Sequence, residues 1–510
     1  SGIIIQKSLK LSVNTGQPAV VAYAQQYGNA RSAATLLLPT SVLGKKYLAA
    51  SYTYTATSSG GQNSRSQFQI ITTRPNTSVR ITPYSNGVPG APFTINFTNA
   101  GDMYQYQATS DVTGSIIESI ASANGSCLPI AVFSGSSAST IGTVTCTNPT
   151  SYDPLFQQLY PVTTWGKNYG FIPFGDYTNG NPYRIMASED NTSVFVNGVL
   201  TATLNTGQIY PATYNLTPVT FTQPTSITSD KPICVIQYAQ TSLCSGTNNG
   251  DPDMVILNPI EQNIKDITIF ASTQQNINRQ WINVLIPTAG VSSFRIDGAV
   301  PSTAFQPAPN IPGFSYLTHQ FVPAISGSHR LTSDSGFNAI CYGFQQGQFE
   351  SYAYSAGTNV KDIFQFISLQ NQYATVNFPA TCRNTPFFFS MTFPYQPTQI
   401  QWIFGAALNA MGIADVTLNA PIPTSTIVVA GKTLYVYQLP TPYTITAAGT
   451  YPIKVIATNP TPDGCGGIQE IEFDVQVFDP PVADFTFNNV CFPDPVQFND
   501  NSNTGGRPIA

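Results

Sequence analysis

The chain has 510 residues, a net charge of −5 and a charged fraction of 9%, far below the roughly 25% of average proteins. Its Lys and Arg residues form no basic cluster, and no segment approaches the ~20 apolar residues of a membrane-spanning helix, so neither nucleic acid nor direct membrane insertion is expected. The 40 prolines and 38 glycines disfavour long helices, and the composition predicts an all-β protein of about three to four domains.

One pattern occurs three times: a Pro, a Lys six residues later, and then an alternating apolar run. It reads PTSVLGKKYLAASY from Pro39, PVTTWGKNYGFIPF from Pro161 and PIEQNIKDITIFAS from Pro259. A Gly precedes the Lys in the first two copies and Ile264 replaces it in the third. The P-loop spacing is missing, so phosphate binding is not indicated. The Gly instead predicts a bulge or a positive φ where the chain enters a strand.

Each copy continues into further strands with shared features. Alternating strands that end in polar turns begin at Asn76 (NTSVRITP), Asn191 (NTSVFVNG) and Val291 (VSSFRIDG). Apolar runs of buried-strand type are QPAVVAYAQ, LPIAVFSG, KPICVIQYAQ and NAICYGFQQ, and they recur about every 100 residues, the size of a β-sandwich module. We therefore predict a region over residues 1–357 built from three related β-modules, at about 10–134, 135–240 and 241–357.

The pattern changes after residue 357. Strands in YATVNFPA, FFFSMTF, QIQWIFG, STIVVAG and YPIKVIATN predict a further β-sandwich over residues 358–480. A Pro480-Pro481 junction then opens a segment over 481–510 that reads as the start of another module. The fold prediction is thus all-β, with tandem β-sandwich modules.

The eight cysteines fit neither a CxxC motif nor a zinc pattern, so disulfides and an oxidising, extracellular environment are expected. Sequence proximity and context pair Cys127 with Cys146 and Cys382 with Cys465. A further pair is Cys234 with Cys244. The remaining two cysteines, Cys341 and Cys491, have no evident partner.

No set of residues indicates a catalytic site. The two histidines, His319 and His329, are not spaced to share a helix face or to serve a nucleophile, and structural roles are favoured. Asp251 and Asp253 in NNGDPDM are calcium-ligand candidates, since clustered oxygen ligands suit this cation, but a turn fixed by Pro explains GDPD equally well. No other metal or cofactor is predicted.

Three long polar loops rich in Gly, Ser and Asn are candidates for ligand contact. They are Thr53–Ser66, Ser134–Pro154 and Thr241–Asp251. Exposed Tyr, Asn and Thr on such loops are typical of protein- and glycan-binding surfaces, and long loops in compact β-domains are often functional. Tolerated insertions with no function are the alternative, and the sequence does not decide between them.

The motifs LPTSVLGKKY, YPVTTWGKNY, GDPDMVILNPIEQ and AICYGFQQGQFESYAYSAG resemble the IgGFc-binding domain over roughly residues 10–357. AAGTYPIKVIATN and PPVADFTFNNVCFPDPVQFNDNS are similar to PKD-type, immunoglobulin-like modules. The PKD hallmark W-x-F-G-D stands as Trp402 to Ala406, without its Asp. The combination resembles the large surface adhesins of gliding Bacteroidota, which implies export by type IX secretion and attachment to the outer membrane.

These observations predict a non-enzymatic fragment of an extracellular adhesin, attached to the cell surface through regions beyond it. Its expected partners are host or environmental protein or glycan ligands, or neighbouring modules of the same protein. Two alternatives remain: a repeat unit of a self-assembling surface filament, and an accessory binding region of a secreted enzyme. The sequence does not identify the ligand or test IgG binding.

Overall fold

The computed structural model describes residues 2–13, 20–28, 31–53, 64–122, 127–143, 146, 151–214, 220–347, 349–359, 365–371, 375–376, 379–429, 432–459, 467–488, 490 and 494–503. The chain forms two compact units. Unit 1 is Ser1–Ser12 with Ala19–Lys361, and unit 2 is Val13–Pro18 with Asp362–Ala510. Both are built from β-strands, which confirms the all-β prediction. Helices in the described part of the chain are short turns, and none could span a bilayer.

The first module of unit 1 packs two antiparallel sheets around a shared apolar core. The strands at this end of the chain are β1 (Ile4–Ile5), β2 (Ala22–Tyr27), β3 (Ser32–Leu37), β4 (Lys46–Leu48), β5 (Ser66–Thr72), β6 (Thr77–Thr82), β7 (Tyr84–Ser85), β8 (Val88–Pro89), β9 (Phe93–Phe97), β10 (Met103–Ala108), β11 (Ile116–Ile120), β12 (Ile130–Ser139) and β13 (Asp153–Gln158). The sheets have the orders β1-β10-β5-β12-β13 and β4-β11-β6-β9. β2 pairs with β3, and β7 with β8. Burial alternates strictly along β5, as the sequence pattern requires of a strand with one buried face.

The second and third modules repeat this plan around one long strand each. The second contains β14 (Gly166–Phe171), β15 (Asn181–Ala187), β16 (Thr192–Val196), β17 (Val199–Leu204), β18 (Ile209–Tyr210), β19 (Thr220–Phe221), β20 (Thr225–Ala239) and β21 (Asp253–Ile256). The third contains β22 (Ile264–Ala271), β23 (Arg279–Pro287), β24 (Arg295–Ile296), β25 (Gln306–Pro307), β26 (Phe314–Phe321), β27 (Gly327–Phe344) and β28 (Ser351–Ser355). β20 pairs with β14, β15, β16 and β21, whereas β27 pairs with β22, β23, β24 and β28.

The hairpin turns follow the sequence signals, with one exception. Asn197-Gly198 and Asp297-Gly298 both have positive φ at the two central residues, as NG and DG turns require. The predicted strand from Val291 is wrong at its start, because a 3₁₀ helix covers Thr288–Ser293 and only β24 is extended. The other 3₁₀ helices in the described residues are Thr40–Val42, Val162–Thr164, Ser242–Cys244, Ile260–Gln262 and Gln274–Asn276.

The repeated Pro begins a 3₁₀ turn in all three copies. Pro39, Pro161 and Pro259 each occupy the N-cap of such a turn, with φ of −63°, −56° and −70°, values that the pyrrolidine ring fixes in advance. The chain leaves each turn directly into the strand entry. The repeat detected in the sequence is therefore a repeated turn, and the same turn also contacts the preceding module.

The repeated Gly is required by contact with the next copy of the Pro. A β-carbon on Gly44 would lie 2.5 Å from Cβ of Pro161, and one on Gly166 would lie 2.3 Å from Cβ of Pro259. Neither glycine has a positive φ, so that alternative of the prediction is wrong. The other alternative, a bulge, is confirmed in the second copy by a register shift at Gly166. In the third copy Ile264 lies beside Gly357 instead, and its larger side chain is accommodated.

The Tyr that follows each Gly-Lys pair is buried and uses its hydroxyl twice. Tyr47 accepts a hydrogen bond from the N–H of Gly44 at 2.9 Å and donates to the carbonyl of Ile130 at 2.7 Å. Tyr169 does the same with Gly166 and Ile233. The hydroxyl thus joins the strand entry to the closing strand of its own module, a role that suits an aromatic residue with a polar tip in the first two copies.

Equivalent strands of the three modules meet inside unit 1. β3 lies against β13 and β28, and β21 lies against the same two strands. Gln157 donates from Nε2 to the carbonyls of Ala34 at 2.8 Å and Ala353 at 3.3 Å. Ser351 donates from its N–H to Oγ of Ser32 at 3.2 Å. These bonds join residues up to 319 positions apart, so the modules form one packed body.

A buried ion pair joins the first module to the second. Arg184 on β15 donates from Nη1 to Oδ2 of Asp111 at 2.7 Å and to the carbonyl of Ser51 at 2.7 Å. Its guanidinium also lies 4.6 Å from the ring centroid of Tyr52. Burial is the largest single effect and would lower the pKa of Arg184, but the charge of Asp111, the nearby Tyr238 and Tyr52 and the hydrogen bond to Asp111 together raise it. The pair is fully desolvated and well hydrogen-bonded, the condition under which a buried pair is tolerated.

The disulfide pattern departs from the prediction. Cys146 is bonded to Cys244, 98 residues away, so the predicted pairs Cys127 with Cys146 and Cys234 with Cys244 are wrong. Sequence proximity predicted the wrong pairs because the segment after β12 contacts the segment after β20, where the first two modules pack together. Cys127 is itself disulfide-bonded. Cys465 lies outside the described residues, so its pairing with Cys382 stays a prediction.

Two cysteines are buried thiols on the closing strands. Cys234 on β20 and Cys341 on β27 occupy corresponding positions in KPICVIQY and NAICYGF. Burial raises the pKa of each thiol to about 12, so both remain protonated and unreactive near neutral pH. They serve as small core side chains.

Unit 2 is a β-sandwich of two five-stranded sheets. Its elements are β29 (Phe366–Asn371), β30 (Thr375–Val376), β31 (Ala380–Cys382), β32 (Phe387–Phe393), β33 (Gln399–Ile403), α1 (Gly405–Asn409), β34 (Val416–Asn419), β35 (Ser425–Val429), β36 (Lys432–Gln438), β37 (Gly449–Thr458), β38 (Ile468–Phe478), β39 (Phe485–Phe487) and β40 (Phe498–Asp500). The sheets are β30-β29-β32-β36-β35 and β31-β38-β37-β33-β34, with Trp402 fully buried in the core. β39 and β40 form a separate hairpin.

Candidate ligand-binding site

The third module has an open sheet edge. β26 pairs with β23 along its full length, from Phe314 to Phe321. On its other side β25 pairs only with Ser315 and Tyr316. Among the described strands, none pairs with this side of β26 beyond Tyr316.

A cavity of about 570 Å³ lies along this open edge. Its walls include Trp281, Thr303, Thr318, His319, Gln320 and Phe321. The volume falls within the range of small-ligand and side-chain pockets, and the lining mixes aromatic rings with a few polar groups, as such sites usually do. This makes it the strongest candidate site within the described part of unit 1.

The Trp281 wall is held rigidly between two modules. A β-carbon on Gly175 would come within 2.8 Å of Cε3 of Trp281, so the indole packs directly on the backbone of the second module. The guanidinium of Arg279, ion-paired with Asp176, lies 5.8 Å from the indole ring centroid. The Nε1–H of Trp281 has no hydrogen-bond acceptor among the described residues. The indole is therefore a ring fixed by packing, and its unpaired N–H is buried.

The two histidines of the chain lie close together beside this cavity, and His319 is the one that lines it. His319 has its Nδ1 3.0 Å from Oγ1 of Thr303 and meets the edge of Phe321, whose ring stacks on His329 at 4.1 Å. His329 in turn hydrogen-bonds Asp297 at 2.7 Å. Burial, and then the charge of His329, lower the pKa of His319. His319 is therefore neutral near pH 7 and lines the wall as a polar aromatic ring.

The calcium candidates lie elsewhere, in the interior of unit 1. Asp251 and Asp253 are both buried, beside Asp153 and Glu350 where the module strands meet. Burial raises the pKa of all four carboxyls, and neighbouring negative charges raise those of Asp153 and Asp251 further. A calcium site needs several oxygen ligands, commonly ionised carboxylates, that converge on the cation. The described residues include no group of three acidic, His or Cys side chains placed to hold a metal ion.

These carboxyls are instead part of the junction between modules. Asp153 accepts the N–H of Ser32 at 3.3 Å, and Asp251 accepts the hydroxyl of Ser151. Asp253 accepts the N–H of Met254 at 2.7 Å. Asp251 and Asp253 are thus buried, with Asp253 beginning β21, and calcium binding stays a prediction that this arrangement does not favour.

The loops expected to contact ligand have mixed outcomes. Residues 54–63 of the first loop lie outside the described residues. The prediction of a loop over Ser134–Pro154 is partly wrong, because β12 continues as a strand to Ser139. Most of Thr241–Asp251 is buried, since Cys244 is tied to Cys146 and Thr241 bonds to Ile141.

The residues of the cleft itself were missed by the sequence prediction. The available signal was the contrast between the long strand β26 and its two-residue partner β25.

The sequence profile of the family described as IgGFc binding protein matches residues 33–343. No curated protein sequence matches significantly. Among solved structures, Escherichia coli alpha-2-macroglobulin activated by porcine elastase aligns at 10% identity over 92% of this chain, with a TM-score of 0.15. The chain spans about 46% of that protein's length, and so low a score supports no conclusion about the fold.

Proposed function

Since the chain belongs to the IgGFc-binding protein family, we propose that it is an extracellular, non-enzymatic binding protein that holds a protein ligand in the cleft beside β26. The observation that carries this proposal is the cavity of about 570 Å³ at the open edge of β26, which Trp281 and His319 help to line. Both walls are fixed by packing before any ligand arrives. A preformed site loses little conformational entropy on binding, and this favours affinity.

The rest of unit 1 serves to keep the cleft rigid. Trp281 is wedged against Gly175 of the second module, so the cleft keeps its shape only while the modules stay packed. The Cys146–Cys244 disulfide and the Arg184–Asp111 pair join the first module to the second. In this proposal the three modules act as a stiff head that carries the cleft, as an adhesion protein under mechanical load requires.

Unit 2 serves as a stalk in the same proposal. Its sandwich and the following hairpin have sequences that resemble PKD-type modules, and such modules act as spacers. The whole protein would then be a surface adhesin of the kind exported by type IX secretion in gliding Bacteroidota. The support for this part is the sequence resemblance of residues 358–510.

A binding panel tests the proposed function. The full chain is passed over immobilised extracellular proteins, including the IgG Fc fragment, and over a glycan array. The proposal predicts saturable binding to at least one protein, and Ser302→Trp weakens it because the exposed Ser302 lines the cavity. Ser425→Trp, an exposed position in unit 2, is the matched control and binds like the unaltered chain. Absence of binding to every protein, or equal binding by Ser302→Trp, contradicts the proposal.

A further inference from the structure

The open edge of β26 presents unpaired backbone groups in a defined order. The N–H of Ala308 on the β25 side donates to the carbonyl of Phe314 at 3.0 Å, so the backbone groups of Phe314 face that side. Backbone direction alternates with a period of two along an antiparallel strand. The N–H and C=O groups of Thr318 and Gln320 therefore face the same side as those of Phe314. They lie beyond Tyr316, the last residue of β26 that pairs with β25.

The chain's own nearest segment leaves this edge unfilled. Ser302 and Thr303 of the preceding segment line the cavity, and Oγ1 of Thr303 lies 3.0 Å from the side-chain Nδ1 of His319. No described backbone group pairs with Thr318 or Gln320 on this side. An added strand would thus pair with β26 next to β25 in the sheet and would occupy the cavity.

The side chains around the edge indicate what an added strand would carry. On one face of β26 the cavity offers the indole of Trp281, and on the other face it offers the rings of His319 and Phe321. Val322, which also lines the cavity, is 79% exposed and adds an apolar side chain at its edge. Alternate side chains of an extended segment would meet these two faces in turn, and apolar or aromatic residues match both.

We propose that the ligand of this cleft is an extended polypeptide segment that adds a strand to the open edge of β26 and inserts an apolar or aromatic side chain into the cavity. This inference rests on the proposed function and specifies the chemistry of the partner. Backbone hydrogen bonds to Thr318 and Gln320 supply the general affinity. Trp281, His319 and Phe321 line the cavity that receives the inserted side chain and so select it.

Peptide selection with backbone editing tests this inference. A phage-displayed library of random peptides is selected on the full chain, and each selected peptide is resynthesised with single N-methylated backbone nitrogens. The inference predicts that N-methylation at alternate residues weakens binding by about tenfold or more, because each such N–H donates to β26, while the intervening positions tolerate it. Loss with no alternation, or no loss at any position, overturns the inference.

A pair of variants at one position tests the protein side. Gln320→Pro removes the outward N–H and leaves the ladder to β23 intact, since Pro is tolerated on the free side of an edge strand. Gln320→Ala keeps the N–H and loses only side-chain contacts, so it weakens binding less than Gln320→Pro. Equal affinities for the two variants overturn the inference. If Gln320→Pro fails to fold, the N-methylation pattern on the unaltered chain decides alone.

The outcomes separate this inference from the proposed function. If panel proteins bind the full chain through the cleft but no peptide is selected, the strand-addition inference fails and the proposed function stands. If neither panel proteins nor peptides bind, both fail. If selected peptides compete with the panel ligand and show the alternating pattern, both are supported.

Discussion

Gly166 lies directly against Pro259: a β-carbon on the glycine would stand 2.3 Å from Cβ of the proline. The two residues belong to successive copies of the same motif, so the third copy presents its turn to the module before it. Gly44 and Pro161 form the same contact one module earlier. The motif therefore fixes both the entry of each strand and the packing of neighbouring modules.

Gly166→Ala is expected to destabilise unit 1 by about 1–3 kcal/mol, because the added methyl must displace a rigid proline ring. The matched control is Gly327→Ala, since a β-carbon there meets no atom within 4 Å. Urea unfolding followed by tryptophan fluorescence measures both variants. Equal stability for the two would show that the Gly–Pro contact does not control the packing.

Replacing both Cys146 and Cys244 by Ser is expected to lower the stability of unit 1 by about 2–4 kcal/mol, because the bond closes a long loop of chain. Non-reducing peptide mapping checks the connectivity independently. It should recover one peptide pair that links Cys146 with Cys244. A peptide pair linking Cys127 with Cys146 would restore the sequence-based assignment and contradict the structure.

Asp111→Ala is expected to cost about 3–5 kcal/mol, because it leaves the buried charge of Arg184 unpaired. The control is Asp266→Ala, which breaks the exposed ion pair with Arg330 and should cost at most about 1 kcal/mol. Thermal unfolding of the full chain compares the two variants. Similar losses for both would mean that the Arg184 pair does not join the modules as described.

The buried carboxyls predict an unusual dependence of stability on pH. The pKa of Asp153 is well above its ordinary value because of burial and the nearby charges of Asp251 and Glu350. Its stabilising contribution is complete below about pH 3.8, the unfolded-state pKa, and is lost as the pH rises through the folded-state pKa. Asp153→Asn mimics the protonated form. It should raise the unfolding temperature at pH 8 and change it little at pH 4.

Asp102 supplies the opposite control. Its pKa is lowered, chiefly by the hydrogen bond from the N–H of Asn99, so its contribution is present above about pH 3.8 and is lost as the pH falls. Asp102→Asn should therefore lower the unfolding temperature at pH 7 and have less effect at pH 3. If Asp153→Asn and Asp102→Asn show the same pH profile, the assignment of the junction carboxyls is wrong.

Local patterns predicted much of the fold. The spacing of Pro39, Pro161 and Pro259 revealed the triplication because the turn that each Pro begins depends on its own fixed φ. The alternation of apolar residues predicted most strands, and Asn197 and Asp297 marked their hairpins. The strand predicted from Val291 is wrong at its start, because the chain forms a 3₁₀ helix there and becomes extended only at Arg295.

The features that depend on packing between modules could not be predicted. Gly44 and Gly166 were assigned to backbone conformation because the partner proline is a full module away. The disulfide at Cys244 and the burial of Asp251 have the same origin. The cleft at Gln320 arises from the shortness of its neighbouring strand, and residue composition gives no direct signal of that.

Hydrogen–deuterium exchange of the full chain, with and without the strongest binder from the protein panel, tests the central claim most directly. The account predicts that ligand protects the segments at residues 299–305 and 314–322, which contain the walls of the cavity. Exchange at the buried loop Thr241–Asp251 should stay unchanged. Protection confined to other surfaces, with the β26 edge exchanging as in the free chain, would contradict the claim that this cleft holds the ligand.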